Sequence, residues 1–106
     1  MATTEKHELI IVIVNEGYSE KVMDAAREAG ARGGTIVHAR GTANKEIEKK
    51  YGLVVTPQKE MIYILANVKT KDAIMSAINK VGGIETNGQG IVFSLPASNV
   101  SGLKFE

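Results

Sequence analysis

Two glycine clusters occupy equivalent positions in the two halves of this chain. The first runs from Gly30 to Gly34, and the second runs from Gly82 to Gly90. Each follows a helix-like stretch and leads directly into an apolar, strand-like stretch, Thr35–Arg40 in one half and Ile91–Leu95 in the other. Because glycine ends helices and permits tight turns, this repeated order predicts two strand–helix–strand units.

Each unit is predicted to hold one amphipathic helix between two short strands. The first unit comprises a strand over residues 8–14, a helix over Glu20–Ala29 capped by Ser19 and ended by Gly30, and a strand over Thr35–Arg40. The second comprises a strand over Met61–Ala66, a helix capped by Thr70 and ended by Gly82-Gly83, and a strand over Ile91–Leu95 ended by Pro96. Between them, the charged run Asn44–Gly52 predicts a turn or two of helix. The C-terminal ten residues are predicted to be irregular, with an edge strand at Leu103–Phe105 as the alternative.

Two such units with right-handed crossovers form a ferredoxin-like βαββαβ fold of the α+β class. Its four-stranded antiparallel sheet carries both helices on one face. Residues Leu9–Val14 are nevertheless apolar on both strand faces, and Met61–Leu65 nearly so. Since a half-solvated antiparallel sheet alternates apolar and polar residues, something must cover the second face. We expect further copies of the same chain to cover it, which predicts a homo-oligomer.

Composition excludes several classes of protein. A length of 106 residues fits a single domain, 1–106, and a net charge of +1 provides no field that would recruit nucleic acid or a membrane surface. The chain has no cysteine, so it holds neither a disulfide nor a thiolate metal site. The polar N-terminus lacks the pattern of a signal peptide, and no apolar run approaches the length of a membrane span. We therefore expect a cytoplasmic protein that does not insert into membranes.

The second glycine cluster is a candidate anion site. Gly83–Gly88 has the outer spacing of a P-loop, but Gln89-Gly90 stands where that motif requires lysine and a hydroxyl, so it is not a Walker A site. The backbone N–H groups of Gly88, Gln89 and Gly90 could still hold a phosphate. The alternative is a turn alone, since Asn87-Gly88 is a strong turn signal.

His38 and Arg40 lie two residues apart on a strand and so face the same way. They could neutralise an anion or, less readily, perform acid–base chemistry. Because His38 has no partner carboxylate nearby in sequence, a structural role is favoured for it. His7 is placed in a frayed N-terminus. Two histidines and two aspartates also argue against a dedicated metal site, and the few aromatic residues form no stacking array for nucleic acid.

The chain resembles the nitrogen-regulatory P-II signalling proteins, and more closely their shorter, divergent P-II-like relatives. The matching segments are Ile10–Val14, Ser19–Gly30, Gly33–Gly41, Pro57 and Gly88–Gly90. The resemblance implies the ferredoxin-like fold assembled as a trimer, with sheets lining a central core and ATP or ADP bound between subunits. It also implies that the 42–56 segment is a short form of the family's T-loop, which contacts a regulated partner.

The resemblance implies a set of nucleotide-binding positions, namely Gly33, Thr35, Gly41, Ile64, Gly88, Gln89, Gly90 and Lys104. Gly33 and Thr35 match adenine contacts, and Ile64 matches an apolar contact in the third strand. Gly41 matches a family glycine that precedes the T-loop and borders the phosphates, and residues 88–90 match the phosphate-cradling B-loop. Lys104 falls where a C-terminal arginine of the family reaches the phosphates.

This chain departs from the family pattern where phosphate is bound. Ile84-Glu85-Thr86 replaces the Thr-Gly-Lys that begins the family's B-loop, Ile91 replaces a basic residue, and Gly102 aligns with an arginine. The T-loop segment is also shorter and lacks the tyrosine at the family's modification position. We therefore expect ATP, ADP or AMP to act as weakly bound effectors, with no obligatory cofactor.

These observations favour a trimeric sensor that is not an enzyme. It would bind an adenine nucleotide and signal this binding to a partner enzyme or transporter, with nitrogen metabolism as the candidate setting. The alternative is a structural or metal-tolerance-type trimer of the same fold without a nucleotide site. A small enzyme that uses His38 ranks last. A nucleotide-induced thermal shift would separate the first hypothesis from the second.

Overall fold

The computed structural model of the chain describes residues 6–42, 45–52 and 57–102. Its elements are β1 (His7–Asn15), α1 (Ser19–Glu28), β2 (Thr35–Arg40), α2 (Lys45–Tyr51), β3 (Gln58–Asn67), α3 (Val68–Gly82) and β4 (Ile91–Ala97). The strands form one antiparallel sheet in the order β2-β3-β1-β4. This confirms the predicted ferredoxin-like fold, and α2 confirms the helical turns in the connection. Leu103–Phe105 and Lys104 lie outside the described residues.

The core lies between the sheet and the two long helices. Alternate residues of β1 and β3 point toward α1 and α3 and are almost completely buried. They are Ile10, Val12 and Val14 on β1 and Ile62 and Ile64 on β3, and they pack against Val22, Met23 and Ala26 of α1 and Ile74 and Ile78 of α3. Burying a large aliphatic side chain contributes about 1.5–3 kcal/mol, so this layer holds both helices on one face.

The opposite face of the sheet is apolar and carries no element among the described residues. Register places three rows of side chains across it: Leu9 between Leu65 and Leu95, Ile11 between Tyr63 and Phe93, and Ile13 between Met61 and Ile91. Ile91, Phe93 and Leu95 on the edge strand β4 are exposed in the protomer. Leu9–Val14 is therefore apolar on both faces, as the sequence predicted. We refer to this surface as the open face.

Helix α1 begins differently from the prediction. Its N-cap is Tyr18, which makes no side-chain capping bond, so the assignment of Ser19 as the cap is wrong. The Glu60 carboxylate on β3 instead accepts from the backbone N–H groups of Gly17 at 2.9 Å and Ser19 at 3.2 Å. A carboxylate from a neighbouring strand thus replaces the local cap.

The second long helix also begins earlier than predicted. Asn67 caps α3 by accepting from the N–H of Lys69 at 2.8 Å, so Thr70 is not the cap. The Thr70 hydroxyl donates to the carbonyl of Asn67 at 3.2 Å. The cap prediction missed Asn67 because it is also the last residue of β3, so strand and helix are joined without a loop.

All strands except β2 extend beyond the predicted bounds, and β3 begins at Gln58 instead of Met61. His7, predicted to lie in a frayed terminus, pairs with Asn67 and Ala97 and is only 4% exposed. Pro96 does not end β4, which continues to Ala97. Because β4 is an edge strand, a residue without an N–H is tolerated there.

Candidate functional site

The loop over residues 82–90 is closed by its own hydrogen bonds. The three N–H groups predicted to cradle a phosphate all donate within the loop: Gly88 to the Thr86 hydroxyl at 3.2 Å, Gln89 to the Thr86 carbonyl at 3.0 Å, and Gly90 to the Gly82 carbonyl at 2.7 Å. Gly88 and Gly90 are also buried. In this conformation an anion would have to share or displace these bonds to reach the donors.

Gly90 has a packing role that is independent of any ligand. A Cβ at this position would overlap the carbonyl oxygen of Gly82 and approach Cγ1 of Val14 to 2.6 Å. The glycine therefore lets the loop cross close to α3 and β1. A Gly90→Val substitution would disturb the fold whether or not a nucleotide binds.

The predicted adenine end lies at the start of β2. Gly33 is half-buried and Thr35 is exposed, with Thr35 opposite Tyr63 on the open face. Gly34 between them packs tightly, because a Cβ there would lie 2.9 Å from Sδ of Met23 and 3.2 Å from Cγ1 of Ile64. The Ile64 side chain is completely buried in the core, so it does not present a surface in this conformation.

Gly41 lies at the other end of β2, about 20 Å from Thr35 at the usual rise of a strand. Its N–H donates to the carbonyl of Pro57 at 2.6 Å, which closes the base of the 42–56 segment. The stem of Lys59 crosses directly beside it, since a Cβ on Gly41 would lie 3.1 Å from Cε of Lys59. Within one protomer, the predicted adenine and phosphate positions are therefore separated by the length of β2.

Asn15 and Lys59, which the sequence analysis did not identify, link Gly41 to the 82–90 loop. The Lys59 ammonium donates to Oδ1 of Asn15 at 2.6 Å. Asn15 in turn donates its side-chain amide to the Asn87 carbonyl at 3.0 Å and its backbone N–H to the Gly88 carbonyl at 2.8 Å. Burial lowers the pKa of Lys59. In the sequence, Asn15 directly follows the predicted first strand, whereas Lys59 lies two residues before the predicted third strand.

His38 has a carboxylate neighbour that sequence proximity did not indicate. Its Nδ1 lies 4.0 Å from Oε2 of Glu60, with the histidine side chain 80% exposed and the glutamate almost buried. Burial raises the pKa of Glu60. Hydrogen bonds from Gly17 and Ser19, together with the nearby His38, lower this pKa by more, so the net shift is downward. Glu60 thus serves as an ionised anchor for α1.

Arg40 is exposed at the end of β2, opposite Gln58.

Across the described ranges, no helix combines the length and apolarity needed to cross a membrane. In the same ranges, histidine, aspartate and glutamate side chains do not gather in threes around a metal-sized space.

Comparison with known proteins identifies the family. The family model for the nitrogen regulatory protein P-II matches residues 7–106, nearly the whole chain. This chain belongs to the P-II family. The resemblance seen in the sequence is thereby confirmed, and with it the assignment to a family of regulatory signalling proteins. A sequence search of curated proteins finds no match.

Solved P-II structures share the fold of this P-II protein. Arabidopsis thaliana PII bound to citrate superposes with a TM-score of 0.67 at 21% identity, covering 89% of this chain and 77% of that one. A putative PII-like signalling protein from Thermus thermophilus gives 0.66 at 13% identity, covering 88% and 87%. The ATP complex of B. subtilis GlnK gives 0.64 at 16% identity, covering 92% and 86%.

Proposed function

We propose that this P-II protein is a cytoplasmic, trimeric sensor that binds an adenine nucleotide between subunits and regulates a partner protein through the 42–56 segment. One observation carries the proposal. Gly41, at the base of that segment, packs beside Lys59, and Lys59 is hydrogen-bonded to Asn15, which is in turn hydrogen-bonded to the 82–90 loop. A ligand held at this edge of the sheet would touch both loops. It would act as a regulator and not as an enzyme.

The open face supports the oligomer. Leu95 is 48% exposed and Ile91 is 58% exposed beside the apolar rows of β1 and β3. Contiguous apolar surface of this kind marks an interface, and three copies with their open faces inward would remove it from water.

Leu95→Lys places a charge at this interface without touching the protomer core. We expect light scattering at micromolar concentration to give three times the chain mass for the native protein and a smaller mass for Leu95→Lys. Val68→Lys, an equivalent change at a 41% exposed residue on α3, is the matched control and should remain trimeric. A native monomer would overturn both the trimer and the intersubunit site.

Nucleotide binding is supported by family membership, and among the relatives B. subtilis GlnK is described in complex with ATP. In this chain the donors of residues 88–90 are engaged within their loop, and the family's B-loop lysine is absent. We therefore expect binding that is micromolar or weaker, with little preference among ATP, ADP and AMP. Calorimetry with each nucleotide tests this directly.

The same loop hydrogen bonds favour one alternative, a structural trimer without a nucleotide site. Its donors are satisfied without a ligand, as a purely structural turn requires. A stable trimer that gives neither heat nor a thermal shift with the three nucleotides at millimolar concentration would favour this alternative.

The partner surface is assigned to the 42–56 segment, in which α2 presents exposed Lys49 and Lys50. We expect the double variant Lys49→Glu and Lys50→Glu to abolish capture of the regulated enzyme or transporter. Trimer mass and nucleotide affinity should be unchanged, since both lysines are exposed on α2 and belong neither to the sheet nor to the 82–90 loop. Retained capture would exclude α2 as the contact.

A further inference from the structure

We propose that Lys59 is the cation that receives the phosphate group of a bound nucleotide, at the edge of the sheet between Gly41 and the 82–90 loop. This inference rests on the proposed function and deepens it. Lys59 is on β3 and is not among the nucleotide-binding positions that the family resemblance implied.

The surroundings of Lys59 leave its charge uncompensated. The side chain is half-buried, and its ammonium donates to a neutral amide oxygen, Oδ1 of Asn15, at 2.6 Å. Among the residues that the structure describes, no carboxylate lies within ion-pair distance of it. The neighbouring Glu60 projects to the helix side of the sheet, where it receives the N–H groups at the start of α1. An ammonium has three donors, so an arriving phosphate would find unused ones.

The position of Lys59 would let a phosphate contact affect both the 42–56 segment and the 82–90 loop. Gly41 has no side chain, and this lets the lysine stem cross beside the point where the 42–56 segment begins. On the other side, Asn15 holds the 82–90 loop through the carbonyls of Asn87 and Gly88. A phosphate that draws the ammonium away from Asn15 would change the hydrogen bonding of the residue that holds this loop.

Calorimetry on the full-length protein with ATP and with adenosine tests the assignment. We expect Lys59→Gln to weaken ATP binding about tenfold or more and to leave adenosine binding unchanged, because only ATP carries the charge. Lys59→Arg should restore most of the affinity. Lys69→Gln, at an exposed lysine beyond the other end of β3, is the matched control and should bind ATP like the native protein. Thermal melts of each variant establish that the fold is retained.

The outcomes separate this inference from the proposed function. If Lys59→Gln binds ATP as tightly as the native protein, the lysine assignment is overturned and nucleotide binding stands. If the native protein binds no ATP, the sensor proposal fails. Titration of the reductively ¹³C-methylated protein with inorganic tripolyphosphate then decides the lysine. A saturating shift of the Lys59 resonance, with Lys69 unmoved, supports an anion site, whereas an unmoved Lys59 resonance overturns it.

Discussion

Glu60 provides the sharpest test of how this sheet holds its first helix. Glu60 is 7% exposed, and its carboxylate accepts hydrogen bonds from the backbone N–H groups of Gly17 and Ser19. Glu60→Gln keeps the size and one acceptor oxygen but removes the charge. A hydrogen bond to a charged group contributes about 1.5–3 kcal/mol and a neutral one about 0.5–1.5, so the two bonds together lose about 2 kcal/mol. Removing a buried charge returns part of this loss, and we expect a net destabilisation of about 1–2 kcal/mol.

The effect should depend on pH in a defined direction. The hydrogen bonds lower the pKa of Glu60 below its usual 4.5 despite the opposing effect of burial. A depressed carboxyl pKa stabilises the fold above the unfolded-state pKa, and this contribution disappears as pH falls through the folded-state value. The advantage of the native protein over Glu60→Gln should therefore be full at pH 7 and shrink as the pH falls below 4.5.

Urea unfolding followed by circular dichroism measures both effects. Native and variant proteins must be compared at one protein concentration, because the apparent stability of any protein that oligomerises depends on its concentration. Glu28→Gln, at an exposed glutamate on the same helix, is the control and should change the free energy of unfolding by less than about 0.5 kcal/mol. A Glu60→Gln variant as stable as the native protein at pH 7, or a difference independent of pH, would refute Glu60 as an ionised cap.

Three further substitutions test packing and capping by urea unfolding. Gly34→Ala should destabilise the fold by about 1–3 kcal/mol because its Cβ would crowd Met23 and Ile64. Gly33→Ala, which has open space around it, should not destabilise the fold. Equal effects of the two substitutions would contradict this packing. Asn67→Ala should cost about 1 kcal/mol through loss of the α3 cap, and no loss would show that the cap is dispensable. Ile64→Ala should cost about 2–5 kcal/mol as a core deletion; a cost below about 1 kcal/mol would contradict its burial.

The order of elements could be predicted because it depends on local patterns. Leu9–Val14 is a short β-branched run, and the apolar spacing of the two long helices repeats over several turns. The charged run Asn44–Gly52 likewise contains α2. With right-handed crossovers, these elements leave few arrangements other than the ferredoxin-like sheet. The apolar second face followed from the segments Leu9–Val14 and Met61–Leu65.

The side-chain network that joins these elements could not be predicted. Glu60 reaches Ser19 across 41 residues, Lys59 reaches Asn15 across 44, and Asn15 reaches Asn87 across 72. No local spacing encodes such contacts, because strand register places the partners side by side only after the sheet has formed. The true cap of α1 and the lysine beside Gly41 therefore emerged only from the tertiary structure.

The 82–90 loop shows the same division. From the sequence alone, its glycines indicated where the backbone could turn tightly and approach a neighbouring element. Whether its N–H groups remain free for an anion depends on what they contact after folding. The structure directs the N–H of Gly90 to Gly82 and those of Gly88 and Gln89 to Thr86. The sequence determined the capacity to turn, and tertiary packing decided which donors are occupied, because a hydrogen-bond donor is committed only when its acceptor is in place.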